Sequence, residues 1–266
     1  MANKESTVRT LTVAVLVCLV CSVFVAGAAV ALKPTQAENR QLDKQRSILA
    51  IAGLGEAGMS GKEVKALFAE RIRARVVDLD KGAFSDAQDA ASFDPLKAAK
   101  DPELSQALPA EQDIASIKRR EHFSTVYMVE KDGALETLIL PVRGYGLWST
   151  LYGFVAVKGD LNTVVGFGFY QHGETPGLGG EVDNPKWKAL WTGKTLFDEQ
   201  GQLAVEIIKG SVDPQSPKAT HQVDGLAGAT LTSKGVNNLL HFWLGENGFG
   251  PLLANLKLLK QKAGEA

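Results

Sequence analysis

From Leu11 to Leu32 the chain carries no charged residue, an apolar run of about 22 residues. At about 1.5 Å of rise per residue, a helix of that length crosses a hydrocarbon core roughly 30 Å thick. Whatever folds after it is therefore either tethered to a bilayer or preceded by a leader that is removed. The second reading puts a cleavage site at Ala29-Val30-Ala31. The apolar core of a leader is usually only about 7–15 residues, shorter than this run, so the segment reads as an uncleaved anchor. Lys4 and Arg9 precede it. Lys33, Arg40, Lys44 and Arg46 follow, mixed with Glu38 and Asp43. This mixture does not fix an orientation. Cys18 and Cys21, the two cysteines of the chain, both lie in the run behind Val17 and Val20. Neither follows the small residue of a lipoprotein site, and no disulfide framework or cysteine metal site is available beyond the pair.

The formal net charge is −1, which gives no electrostatic footprint for nucleic acid. Residues 33–120 read as a membrane-proximal region of helices and loops. Glu38 to Leu54 has a helical pattern ended by Gly53 and Gly55. Ser60-Gly61-Lys62-Glu63 is a capping box opening a second helix, with Val64, Leu67, Phe68 and Ile72 on one face. Arg75 to Asp80 reads as a short strand, and residues 82–113 as a long loop with short helical pieces. The acidic residues of that loop lack the spacing of a calcium-binding loop and read as solvated.

From residue 121 the pattern turns to strands. Phe123–Val129 and Ala134–Val142 flank Asp132-Gly133, and Leu151–Val157 and Thr163–Tyr170 flank Lys158-Gly159-Asp160; both are hairpins. Asn184-Pro185 opens a helix whose Trp187 and Trp191 read as core. Leu203–Ile208 reads as a strand. Val236, Leu239, Leu240, Phe242 and Trp243 mark an amphipathic helix, and Pro251 to Lys260 a last one. Antiparallel hairpins with helices outside predict an α+β fold: an antiparallel sheet with flanking helices, preceded by one N-terminal transmembrane helix. The four histidines are scattered, with no pairing that suits zinc.

Three stretches carry chemistry. In Arg143-Gly144-Tyr145-Gly146-Leu147-Trp148, glycines flank an aromatic. It is either a bulged strand with core aromatics or a loop that approaches a flat ring. Gln171 to Glu181 packs glycines and a proline too densely for a regular element, and is either a surface turn or a loop offering backbone donors and acceptors to a ligand. Asp224-Gly225-Leu226-Ala227-Gly228-Ala229-Thr230-Leu231-Thr232-Ser233 crowds small residues around one hydroxyl ahead of a helix beginning near Lys234. Thr232 and Ser233 read as its caps. This is an ordinary entry into a helix, or a place where Thr230 meets a phosphate at a positive helix end.

The pattern Asp224-x-x-x-Gly228-Ala229-Thr230, followed by Thr232, resembles the flavinylation motif of the covalent FMN-binding domains. Ala227 stands where that family usually has Ser, which leaves the bond-forming hydroxyl in place. The Gly-Tyr-Gly-Leu-Trp order ending at Trp148 and the His172-Gly-Glu-Thr-Pro-Gly-Leu-Gly179 loop are also similar to that family. Within it the chain resembles the C subunits of bacterial sodium-translocating NADH:quinone oxidoreductases, with the G subunits of Rnf electron-transport complexes as the nearest alternative.

The resemblance implies FMN as cofactor, joined through its phosphate to the hydroxyl of Thr230 by a dedicated flavin transferase. It implies that Asp224, Gly228, Ala229, Leu231 and Thr232 surround the attachment point. Glu174, Thr175, Pro176, Gly177, Leu178 and Gly179, with Tyr145, Gly146, Leu147 and Trp148, would line the flavin. Residues 1–10 would be cytoplasmic, 11–32 would span the bacterial inner membrane, and 121–266 would form the covalent FMN-binding domain on the periplasmic side. Partners would be the A, B, D, E and F subunits of a membrane complex that oxidises NADH, reduces ubiquinone and expels sodium. The chain itself would be an electron carrier with no catalytic residue and no metal. A reading of a different class is a membrane-anchored periplasmic binding module without a cofactor.

Overall fold

The computed structural model describes residues 6–56 and 58–264, so Lys4, in the expected cytoplasmic segment, lies outside the described residues. The chain divides into two compact units, Met1–Lys44 and Gln45–Ala266. The apolar run and the polar helical stretch after it form one helix, α1 (Thr7–Ile51). Pro34 sits inside that helix, which forgoes one backbone hydrogen bond there. Among the described residues, α1 is the one helix long and apolar enough to cross a membrane. Its Leu, Val and Phe side chains from Val8 to Leu32 are exposed, a surface suited to hydrocarbon and not to water. Its last turn belongs to the second unit, where Ile48, Leu49 and Ile51 are buried.

The second unit continues with α2 (Gly61–Arg71), whose capping box forms as expected. The Glu63 amide donates to Ser60 Oγ at 3.3 Å, and the Ser60 amide donates to Glu63 Oε2 at 2.7 Å. There follow β1 (Arg73–Asp78), β2 (Ala83–Phe84), α3 (Pro95–Ala98), β3 (Ser105–Ala107), β4 (Arg119–Glu121), β5 (Phe123–Lys131), β6 (Ala134–Tyr145), β7 (Thr150–Lys158) and β8 (Val164–Gln171). After a short 3₁₀ turn at Gly179–Asp183 come α4 (Pro185–Ala189), β9 (Glu206–Ile207), β10 (Gln222–Val223), α5 (Thr230–Leu244) and α6 (Gly250–Gly264).

The main sheet is antiparallel, in the order β2-β1-β5-β6-β7-β8, with helices flanking it, as the α+β pattern predicts. Strands from both sides of residue 120 share it. Asp132 and Gly133 both adopt positive φ, 52° and 77°, the conformation a two-residue hairpin turn demands. Two expectations change. The stretch 82–113 holds a short helical piece as expected, α3, but also the paired strand residues of β2 and β3. Of the expected strand Leu203–Ile208, Glu206 and Ile207 pair in parallel with β10 and Leu203 makes an isolated antiparallel bridge to Phe197; between them the strand is broken, because the amides of Ala204 and Val205 both donate to the Leu196 carbonyl.

The core lies between the sheet and α5, where Val236, Leu239, Leu240 and Trp243 form a buried stripe at the spacing of an amphipathic helix. Each large side chain so buried contributes about 1.5–3 kcal/mol. Gly144 on β6 lies so close to α5 that a Cβ there would sit 2.5 Å from Leu239 Cβ. The Trp243 indole donates to the Arg143 carbonyl at 2.7 Å. Trp187 and Trp191 are buried as expected, with Trp191 4.4 Å from the Phe167 ring. This packing fixes α5, and with it the place of its first residue, Thr230.

Candidate functional site

Three segments distant in sequence converge where α5 begins, and Glu174 is their meeting point. The side chain is 5% exposed. Its carboxylate accepts from the amides of Leu147 at 3.1 Å, Trp148 at 3.0 Å and Ser149 at 3.2 Å. Thr232 Oγ1 donates to its other oxygen at 2.7 Å. The packing leaves no room for larger residues around it. A Cβ at Gly146 would lie 2.6 Å from one carboxylate oxygen. At Gly179 it would lie 2.7 Å from the other and 2.4 Å from Thr232 Oγ1. Ser149 Oγ accepts from the Gly173 amide at 2.6 Å, a second tie between the aromatic turn and the glycine-rich loop.

Burial pushes the Glu174 carboxyl up. The hydrogen bonds from Thr232, Trp148, Leu147 and Ser149 together outweigh it, so the group titrates below the ordinary carboxylate value. A group lowered in the folded state adds stability above its unfolded pKa, and that stability is lost as pH falls through the folded value. The unfolding free energy of the wild type relative to Glu174→Gln, followed by urea titration, is therefore expected to be largest near neutrality and to shrink as pH drops below about 4. A difference independent of pH would show that the carboxylate is not ionised in the fold.

The start of α5 departs from the expected capping. The helix begins at Thr230, with Ala229 as N-cap and no side-chain cap bond. Thr232 and Ser233 lie within the first turn and are buried. Their hydroxyls have other partners: Thr232 holds Glu174, and Ser233 Oγ accepts from the Leu226 amide at 3.0 Å. The uncapped end thus leaves its first amides free for an anion. Ala229 is buried, so its small size serves packing. Gly228, at φ 72°, opens the approach, with Leu178 Cδ2 3.1 Å from where its Cβ would be. Asp224 is tied inward: its side chain accepts from the Val212 amide at 2.8 Å, and its carbonyl from the Trp187 indole at 2.9 Å.

Thr230 and Leu231 are exposed, as are Thr175, Pro176, Gly177, Leu178, Tyr145, Leu147 and Trp148. Trp148 is 66% exposed and Leu231 58%, unusual for such side chains. Tyr145 donates its hydroxyl to the Trp148 carbonyl at 3.3 Å. The structure thus brings Gly146, Leu147, Trp148, Glu174, Gly179 and Thr232 together, while Asp224 supports the neighbouring loop. Thr230 also borders a groove of about 220 Å³ walled by Ile207, Lys209, Gly210, Lys234 and Asn237. Sequence reasoning missed this wall. Lys234, one helical turn after Thr230, was findable; Lys209 arrives through β9 and carries no local signal.

The donor set suits a phosphorylated flat heterocycle: an exposed hydroxyl at an uncapped helix start, two lysines along the adjoining groove, and exposed apolar side chains nearby. FMN fits that description. Thr230, Lys209 and Lys234 would hold its phosphate, and Leu147, Trp148 and Leu178 its ring.

Comparison with known proteins agrees on FMN as the ligand class. Residues 146–245 match the FMN-binding domain family. The chain is 82% identical over 257 residues to the C subunit of the Na(+)-translocating NADH-quinone reductase of Pseudomonas aeruginosa, covering 97% of this chain and 98% of that one. It is 53% identical over 256 residues to the corresponding C subunit of Yersinia pestis, covering 96% and 95%. Among solved structures, Shewanella oneidensis NqrC superimposes with a TM-score of 0.75 at 38% identity, over 84% of this chain and 99% of that one. The C subunit of the Na(+)-translocating NADH-quinone reductase from Parabacteroides distasonis gives 0.60 at 30% identity, over 86% and 96%. The chain belongs to the family of C subunits of the Na(+)-translocating NADH-quinone reductases, and the three converging segments lie within or beside its FMN-binding domain.

Proposed function

We propose that this chain is a single-pass, membrane-anchored electron carrier whose FMN is bound covalently to Thr230, within a sodium-pumping NADH:ubiquinone reductase. The observation that carries the reading is the exposed Thr230 hydroxyl at an uncapped helix start, beside Lys209 and Lys234. Attachment by a flavin transferase balances as a phosphoryl transfer from FAD. Thr230 Oγ bonds to the flavin-side phosphorus, the pyrophosphate P–O bond breaks, AMP leaves, and the hydroxyl proton is released. Lys209 and Lys234 offset the phosphate charge and the free amides of α5 add donors.

Bound FMN supplies one-electron redox chemistry that no side chain here can. The protein's part is to orient it, to exclude water with Leu147, Trp148 and Leu178, and to prevent its loss outside the cytoplasm. The anchor between Leu11 and Leu32 has no acidic residue, so it offers sodium no intramembrane carboxylate. In this reading it docks the domain, on the periplasmic side of the inner membrane, beside the A, B, D, E and F subunits. NADH oxidation belongs to one of those neighbours.

Peptide mass spectrometry on the chain, purified from membranes of a host that carries the transferase, is expected to find the FMN increment on the peptide holding Thr230. An unmodified peptide would sink the covalent reading.

A further inference from the structure

We propose that Glu174 is a positioning residue for this site: through Thr232 it sets the attachment hydroxyl of Thr230 in register with the apolar turn that faces the flavin. The proposal rests on the covalent-flavin reading. It explains why the motif carries a second hydroxyl two residues after the acceptor. Thr232 does not cap the helix and is fully buried, so it is not an alternative acceptor.

Both carboxylate oxygens of Glu174 are engaged by Thr232 and by three consecutive amides, those of Leu147, Trp148 and Ser149. Three successive amides converging on one anion form a concave nest. Here the anion is the protein's own. The exposed side chains of Leu147 and Trp148 project from that nest, and Thr230 stands two residues before Thr232. One buried anion therefore couples the ring-facing turn to the bond-forming turn. Gly146 and Gly179 keep the coupling tight, since a Cβ at either would intrude on the carboxylate. Glu174 so occupied has no lone pair directed at a ligand, and its role is to hold rather than to touch. It also fixes a negative charge within the site, which bears on the ease of reducing whatever is bound there.

The test uses the full-length chain co-produced with a flavin transferase, as wild type, Thr230→Ala, Glu174→Gln, Thr232→Val and Thr232→Ser. Covalent flavin per chain is followed over time by in-gel fluorescence and intact mass, and the midpoint potential of the attached flavin is measured. Tryptophan fluorescence reports folding. Loss of a hydrogen bond to a charged group is expected to slow attachment at least about tenfold in Glu174→Gln and Thr232→Val. The flavin that does attach is expected to show a shifted potential, and Thr232→Ser to restore both. Wild-type attachment rate and potential in folded Thr232→Val and Glu174→Gln would overturn the proposal. If Glu174→Gln does not accumulate, Thr232→Val, which exchanges one hydroxyl for a methyl, decides by the same two outcomes. A wild type without flavin would instead overturn the covalent reading.

Discussion

Thr230→Ala is expected to leave a folded chain with no covalent flavin at all. The fluorescent band should vanish, the peptide should be unmodified, and NADH-driven quinone reduction by the assembled complex should fall to background. Thr230 is exposed and begins α5, and Ala is the best helix former, so the fold should change by no more than about 0.5 kcal/mol. The loss is then chemical: without the oxygen there is no phosphoester. Thr230→Ser keeps the hydroxyl and is expected to keep the band. A fluorescent band in Thr230→Ala would move the attachment elsewhere.

The largest expected effect on stability lies behind the site. Glu121, 1% exposed, receives Arg143 Nη1 at 2.9 Å and Nη2 at 2.6 Å in a bidentate pair. The same guanidinium lies 4.9 Å from the centre of the Trp243 ring on α5. Glu121→Ala strands that cation in the interior, and breaking a buried pair from one side costs about 3–5 kcal/mol. A fall in the thermal midpoint on the order of 10 °C is expected by calorimetry in detergent. The double change Glu121→Leu with Arg143→Met should cost less, because no charge is left behind. A loss under about 1 kcal/mol in the single variant would show that the pair does not brace α5 against β6.

Much of the fold was legible because it is local. The Asp132-Gly133 turn, the capping box at Ser60, the apolar run and the stripe ending at Trp243 each declare themselves within a few residues. The start of α5 did not. Hydroxyls near a helix entrance usually cap it, but Glu174 and the Leu226 amide claim those of Thr232 and Ser233 across the fold. The same competition shortened β9, whose neighbouring amides found the Leu196 carbonyl. At the site, the three loops were marked by their small residues. That Glu174 sits under them, with a carboxylate shared among them, depends on a tertiary meeting no spacing announces. The groove wall at Lys209 was invisible for the same reason.

Thr230 is the first residue of a helix whose inner face is buried in the core. Core helices open only when the whole domain opens. A prosthetic group bonded there would have a stationary pivot, with its swing limited to its own side arm and the threonine rotor. Any longer excursion between redox partners would then be a journey of the entire domain, and the rate of that journey would be governed by what restrains the domain rather than by the loops around the flavin.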